Sequence, residues 1–157
     1  MTNSNAHVVE ILIAASPQDP MRPVPEVAAV PGQGLVGDRY FEGRGTFSPT
    51  PPKPDFEVTL IQAEHVAAFA AGVDFPFSAR DARRNVVTEG IDLNALVGRE
   101  FTVGEVRLRG LRLCEPCNYL AKQTRPEVLP GLLHKGGLRA QILSAGVIRT
   151  GDPVRAD

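Results

Sequence analysis

Between Arg99 and Leu113 the chain reads REFTVGEVRLRGLRL, with apolar side chains at every second position on both sides of a Gly-Glu turn. A period of two sends alternate side chains to opposite faces of a strand, so the stretch predicts paired strands with one buried face. The phase changes within it. Val106 and Leu108 share one face, Leu111 and Leu113 fall on the other, and Gly110 sits at the change. An extra residue in one strand produces that slip, so a β-bulge is expected at Gly110. HVVEILIAAS, PEVAAV, EVTLIQ, RRNVVTEG and LRAQIL also read as strands, the last with Leu138, Ala140 and Ile142 on one face, and GVIRTGDPVRA as two extended pieces around a Gly-Asp turn. Helix is confined to three segments. QAEHVAAFAAG places Val66, Phe69 and Ala70 on one face before Gly72, CNYLAKQT makes one or two turns, and PEVLPGLLHK is a short helix interrupted by Pro130. Short strands with so little helix between them predict a mainly β chain with small helices (α+β), built as a β-barrel.

From Pro31 to Pro54 glycine and proline are too dense for regular structure, which predicts a long surface loop at about 31–54. Inside it GQGLVG, Gly32 to Gly37, fits the G-x-G-x-x-G dinucleotide pattern. That fingerprint needs a helix starting at its glycines, and Gly43, Gly45, Pro49, Pro51, Pro52 and Pro54 forbid one. The loop instead presents Asp38, Arg39 and Arg44 on a backbone able to approach a ligand closely; the plainer alternative is a solvated loop with an internal Asp38–Arg39 ion pair.

With 157 residues the chain is long enough to bury a core of its own, so a single domain over 1–157 is expected. A net charge of −1 argues against a broad electrostatic footprint for nucleic acid or acidic membranes. Among the 17 basic residues only Lys53, Lys122 and Lys135 are lysines. Guanidinium suits bidentate capture of phosphate or carboxylate, although base composition of the genome is the plain explanation. No apolar run is long enough to span a membrane as a helix, and MTNSNAHVVEILIAA lacks a basic segment and carries Glu10 inside its apolar part, so a cytoplasmic protein is expected.

Two constellations carry chemistry. If Arg83 to Val87 is extended, Arg83 and Asn85 point to one face and Arg84 to the other, giving a guanidinium beside a carboxamide that suits an anion, or else a polar strand face in solvent. The other is LCEPCNYL, which holds the two cysteines of the chain, Cys114 and Cys117. Four readings of C-x-x-C stand: a redox dithiol, half of a zinc site, a buried structural pair, or one functional thiolate with a bystander. Zinc needs further ligands, and His7, His65 and His134 show no paired spacing, which leaves zinc shared across a dimer. Pro116 fits the first position of a helix, which places Cys117 in the first turn, where free amides favour thiolate; Cys117 is therefore the sulfur expected to react.

Taken in order, GLVGDRYF, RRNVVTEGIDLNALVGREFTVG, RLCEPC, HKGGLRAQIL and GVIRTGDPV resemble the MOSC family, the domain named after the C-terminal part of molybdenum cofactor sulfurases. The chain is similar to the short bacterial members that consist of that domain alone, from about Val8 to Val154. The resemblance implies a MOSC-type β-barrel that binds the molybdenum cofactor (molybdopterin) or passes sulfur to it, with the cysteine of the Pro-Cys dipeptide, here Cys117, as the defining residue. In amidoxime-reducing relatives the matching cysteine is a thiolate ligand of molybdenum, and in sulfurase-type members it carries a persulfide. Arg83 and Asn85 match an Arg-x-Asn pair that looks like part of the grip on the pterin phosphate. Arg84, Asp38 and Arg39 join the expected cofactor pocket, and Cys114 assists by disulfide exchange. His134 and Lys135, in the HKGG turn, are loop residues or pocket residues. The sequence lacks a counterpart to the N-terminal β-barrel of the larger reductases, so a homodimer or a redox or sulfur-transfer partner protein is the expected source of the missing wall. The implied activity is molybdenum-dependent reduction of N-hydroxylated substrates, or sulfur transfer. The alternatives are a non-catalytic module delivering cofactor or sulfur, and a cofactor-free protein switching through Cys114 and Cys117.

Overall fold

Continuous apolar runs mark the strands buried on both faces, and they set the layers of the molecule. The computed structural model describes residues 2–46, 48–51 and 53–156. The chain opens with β1 (Thr2–Ile13), β2 (Arg22–Pro23) and β3 (Glu26–Val30). Next come β4 (Gly34–Leu35), β5 (Val58–Gln62), α1 (Ala63–Ala71), α2 (Ala79–Ala82) and β6 (Val86–Ile91). The second half contributes β7 (Glu100–Val103), β8 (Val106–Leu113), α3 (Asn118–Gln123), α4 (Val128–Gly131), β9 (Leu138–Ile142), β10 (Gly146–Arg149) and β11 (Val154–Ala156).

Eight strands form one sheet in the order β11-β7-β8-β9-β5-β6-β1-β2, and β10-β3-β4 form a second. Every pairing is antiparallel except β5 with β6, whose parallel junction requires the crossover that α1 and α2 supply. The large sheet curls until β1 meets the approach to β11: Val8 N donates to Asp152 O at 2.9 Å and Gly151 N to Val8 O at 2.8 Å. Val8, Ile11, Val58, Leu60, Val86, Phe101, Leu108 and Leu138 face the interior of this partly closed barrel. Neighbours one residue out of phase, Leu12, Ile61 and Val87, face the other way and are covered by Val66 and Phe69 of α1 and Leu120 of α3. That is why β1, β5 and β6 carry apolar residues in succession: Ile11, Leu12 and Ile13; Leu60 and Ile61; Val86 and Val87.

The register of β8 against β9 shifts between Gly110 and Arg112, where the sequence places the bulge. A side chain at Gly110 would collide with the Leu96 carbonyl, so the close approach of that turn needs glycine. Two expectations are corrected. The 31–54 segment does not run wholly over the surface: Leu35 pairs with Ala29, and Leu35, Asp38 and Arg39 are buried, because Asp38 is tied to the end of β1. Pro130 does not interrupt α4 but lies inside it, in the first turn, where its missing N–H has no intrahelical acceptor to lose. Phe47 and Pro52 of the loop fall outside the described residues. Among the described residues no helix is long and apolar enough to cross a membrane.

Glu57, 4% exposed, accepts a hydrogen bond from Ile142 N at 3.0 Å and another from Gly32 N. Burial outweighs these bonds and pushes its carboxyl above the usual range. A raised folded value means the stability is fully present below the ordinary value of about 4.3 and is lost as pH rises through the folded one. Glu57→Gln keeps the acceptor oxygen without the charge. Urea denaturation across pH is expected to show the variant gaining on the wild type from about pH 4.3 upward, with no gain at lower pH.

Candidate functional site

The starts of β6 and β9 flank the middle of β5, and there the residues just before β5 and β6 meet Arg139 of β9 and the segment that leaves β8. A cavity of about 350 Å³ opens there, and Cys117, Arg39, Arg83, Arg84, Arg112 and Arg139 all line it. That volume lies at the low end of small-molecule sites. Tyr40, Phe56 and Tyr119 supply aromatic wall, and among the described residues Glu115 is the one carboxylate on the lining.

Both cysteines are free thiols, but their settings differ: Cys114 is 1% exposed and Cys117 is half-buried at the cavity. Cys117 is the N-cap of α3, with extended φ −130°, rather than a residue of its first turn, and Pro116 stands before the helix. The cysteine loop is held extended against the next turn, with Cys114 N donating to Gly137 O at 2.7 Å. A side chain at Gly136 would strike the Cys114 carbonyl and press the Pro116 ring. The HKGG turn therefore acts as the seat of the cysteine loop.

Arg84 fastens that seat. Its Nε donates to Gly136 O at 2.7 Å, one terminal nitrogen to Ala82 O at 3.1 Å, and the other to Cys114 O at 3.0 Å and Glu115 O at 3.4 Å. A rigid fork of five donors suits this convergence of carbonyls from three segments. Its guanidinium is thus committed to the protein, and its role is to position Cys117.

The expected alternation of residues 83–87 fails. Arg83 adopts φ 60° as the C-cap of α2, and the strand begins only at Val86. The reversal turns Arg83 to the cavity, where its guanidinium donates to Asp19 O at 2.7 Å and Pro17 O at 3.0 Å. Burial, then the charge of Arg39, lowers its affinity for the proton, although a guanidinium stays charged. Asn85 does not join it. That side chain is fully buried, its Oδ1 accepting from Thr59 N and Thr59 Oγ1, both at 3.1 Å, and its Nδ2 donating to Leu12 O at 3.1 Å. It stitches β1 and β5 to the entry of β6.

Asp38 and Arg39 form a buried ion pair at 3.1 Å, the internal alternative rather than a mobile ligand loop. Asp38 also accepts from Ala14 N at 3.1 Å and Tyr40 N at 3.2 Å, and it is absent from the cavity wall. Arg39 is held at the wall by that pair, by the Arg83 carbonyl at 3.2 Å and by the Tyr40 ring 4.6 Å away. His134 sits outside the cavity with φ 62° and an exposed ring, its Nδ1 2.7 Å from Glu115 Oε2 while its backbone N donates to Oε1 at 2.7 Å. Lys135 borders a separate groove with His65. Among the described residues no three His, Cys, Asp or Glu side chains form a metal-binding cluster.

Sequence reasoning missed Arg112 and Arg139. They are direct cross-strand partners of β8 and β9, beside the bulge. Like charges in that position destabilise a sheet unless something lies between them. Asp55 and Phe56 do: Arg112 Nε donates to Asp55 Oδ2 at 2.8 Å, Arg139 donates to Asp55 O at 3.2 Å, and the two guanidiniums lie 5.8 and 4.9 Å from the Phe56 ring. Burial lowers the Arg139 value, but Cys114, Tyr40 and Asp55 together raise it by more. The Arg139 Nε is buried without a hydrogen-bond partner, a deficit that costs about 1–3 kcal/mol. An arginine in each of the alternating strands RLRGLRL and LRAQIL was the available signal, legible only once their register is known.

The chain matches the MOSC domain over residues 43–155. No curated protein matches it in sequence. Among solved structures, the YuaD protein from Bacillus subtilis is 16% identical with a TM-score of 0.80, over 96% of this chain and 94% of that one. YiiM from Geobacillus stearothermophilus is 19% identical with a TM-score of 0.74, over 97% and 75% of the two chains. YiiM from Escherichia coli is 18% identical with a TM-score of 0.69, over 96% and 69%. At these identities the likeness is one of fold.

The seat of the cysteine loop is open to test. Arg84→Met leaves carbonyls of three segments unpaired and is expected to cost about 2–4 kcal/mol in urea denaturation. Amide exchange at Cys114 should accelerate in the same variant, and Arg84→Lys, a point donor, should restore only part of either loss.

Proposed function

The chain belongs to the MOSC domain family, which is associated with the molybdenum cofactor, and we propose that Cys117 is the functional sulfur of a molybdenum cofactor site in this cavity. One observation carries the reading: the accessible thiol and five guanidiniums line the same cavity. A soft thiolate suits molybdenum or a transferable sulfur, and guanidiniums suit an anionic tail.

The residues present fit such a group. Arg139 Nε is a buried donor without a partner, and among the described residues Arg112 spends only its Nε on Asp55. These two, rather than Asn85, would hold a phosphate, with Arg39 and Arg83 adding positive charge. Cys117 would hold molybdenum. When bound, the cofactor supplies two-electron chemistry suited to reducing an N-hydroxylated substrate. The chain contributes an oriented thiol, a field that retains the anion, and aromatic walls that limit water. Arg84 fixes the direction of Cys117, its guanidinium being spent on the protein's own carbonyls.

In the sulfur-carrying version of the same reading, Cys117 bears the transferable sulfur, and a neighbouring enzyme receives it. The buried Cys114 gives no support to a dithiol exposed for exchange.

Metal analysis and oxidative release of fluorescent pterin decide among these. Protein made in a cofactor-producing host is expected to carry molybdenum and pterin, with molybdenum lost in Cys117→Ala while the fold, followed by circular dichroism, is kept. Molybdenum content equal in the wild type and Cys117→Ala would exclude ligation by this sulfur. A labile persulfide on Cys117, with neither pterin nor molybdenum, would favour sulfur carriage.

A further inference from the structure

We propose that the cavity accepts sulfane sulfur from a small oxyanion donor of the thiosulfate class, with Cys117 as the acceptor. The inference rests on the reading of Cys117 as the functional sulfur and names the donor which that reading leaves open.

The shape and charge of the cavity select the donor. Five guanidiniums surround a space of about 350 Å³ that also holds the Cys117 thiol. Its one lining carboxylate among the described residues, Glu115, is engaged by the ring and backbone N of His134. The cross-strand arginines Arg112 and Arg139 stand side by side, and the buried Arg139 Nε–H has no partner in the protein. A persulfide delivered on another protein would bring one terminal sulfur on an uncharged chain and use few of these cations. A thiosulfate-type donor brings two negative charges and three acceptor oxygens to them.

The reaction gives the cations a second task. The Cys117 thiol yields its proton to solvent, and its sulfur attacks the outer sulfur of thiosulfate. A new S–S bond forms at Cys117, the S–S bond of thiosulfate breaks, and its electron pair leaves with sulfite. The electrons stay among the sulfur atoms, so no external oxidant or reductant enters. Charge moves onto the departing oxyanion during the step, where fixed guanidiniums stabilise it. A soft acceptor, cyanide in the assay below, then takes the outer sulfur as thiocyanate and regenerates the Cys117 thiolate.

The test uses the full chain with sodium thiosulfate. The wild type should gain the mass of one sulfur atom on the Cys117 peptide and release equimolar sulfite, and cyanide should discharge it as thiocyanate. Cys117→Ser should release no sulfite. Arg112→Gln should slow the reaction with thiosulfate about tenfold relative to its reaction with dimethyl trisulfide, an uncharged sulfane donor, with circular dichroism checking that the variant is folded. No persulfide from thiosulfate in the wild type, or equal slowing with both donors, overturns the proposal. Cys117-dependent molybdenum loading in a preparation that releases no sulfite would reject the donor and leave the cofactor reading standing. Failure of both would reject both.

Discussion

A single buried guanidinium, Arg84, joins the entry of β6, the cysteine loop and the HKGG turn by bonding to carbonyls of all three. Its geometry has to be exact in direction as well as charge, because several acceptors at fixed angles are met by one planar group. Without it the Cys114–Cys117 loop keeps the Cys114 to Gly137 bond, the bond from Ala121 N to Cys117 O, the bond from His134 N to Glu115 and the packing of Pro116 on Gly136. The position of Cys117 thus depends on a residue whose guanidinium is spent on the protein's own carbonyls.

The remaining arginines pose the opposite problem. Each is partly withdrawn from water, and cations so placed are costly unless paired. The fold answers with Asp38 for Arg39, the Pro17 and Asp19 carbonyls for Arg83, and Asp55 with the Phe56 ring shared by Arg112 and Arg139. The compensation is incomplete at Arg139 Nε. Asp55 and Phe56 already relieve the pairing of Arg112 with Arg139, and an anionic ligand would relieve it further.

The barrel was legible because strand alternation and the Gly110 phase slip depend only on local spacing, and the structure places the bulge between Gly110 and Arg112. Cys117 was singled out by placing it in the first turn of a helix; it is the N-cap of α3 instead, and it lines the cavity all the same. The arginines around the cavity were not legible as a group. Arg83 and Asn85 were paired by assuming extended backbone, and one left-handed residue at Arg83 separated them. Arg112 and Arg139 meet only through the long-range pairing of β8 with β9, and Asp38 is buried only because the 31–54 segment folds back onto Ala14. None of those relations has a period or a spacing to read.

The central claim is that Cys117 stands in a cationic cavity, and alkylation by two reagents of matched shape measures it directly. The account predicts that anionic iodoacetate gains on neutral iodoacetamide at Cys117, relative to the ratio for a free thiol, and that the gain shrinks with salt and in Arg139→Gln. A ratio equal to that of a free thiol, unmoved by salt, would contradict it.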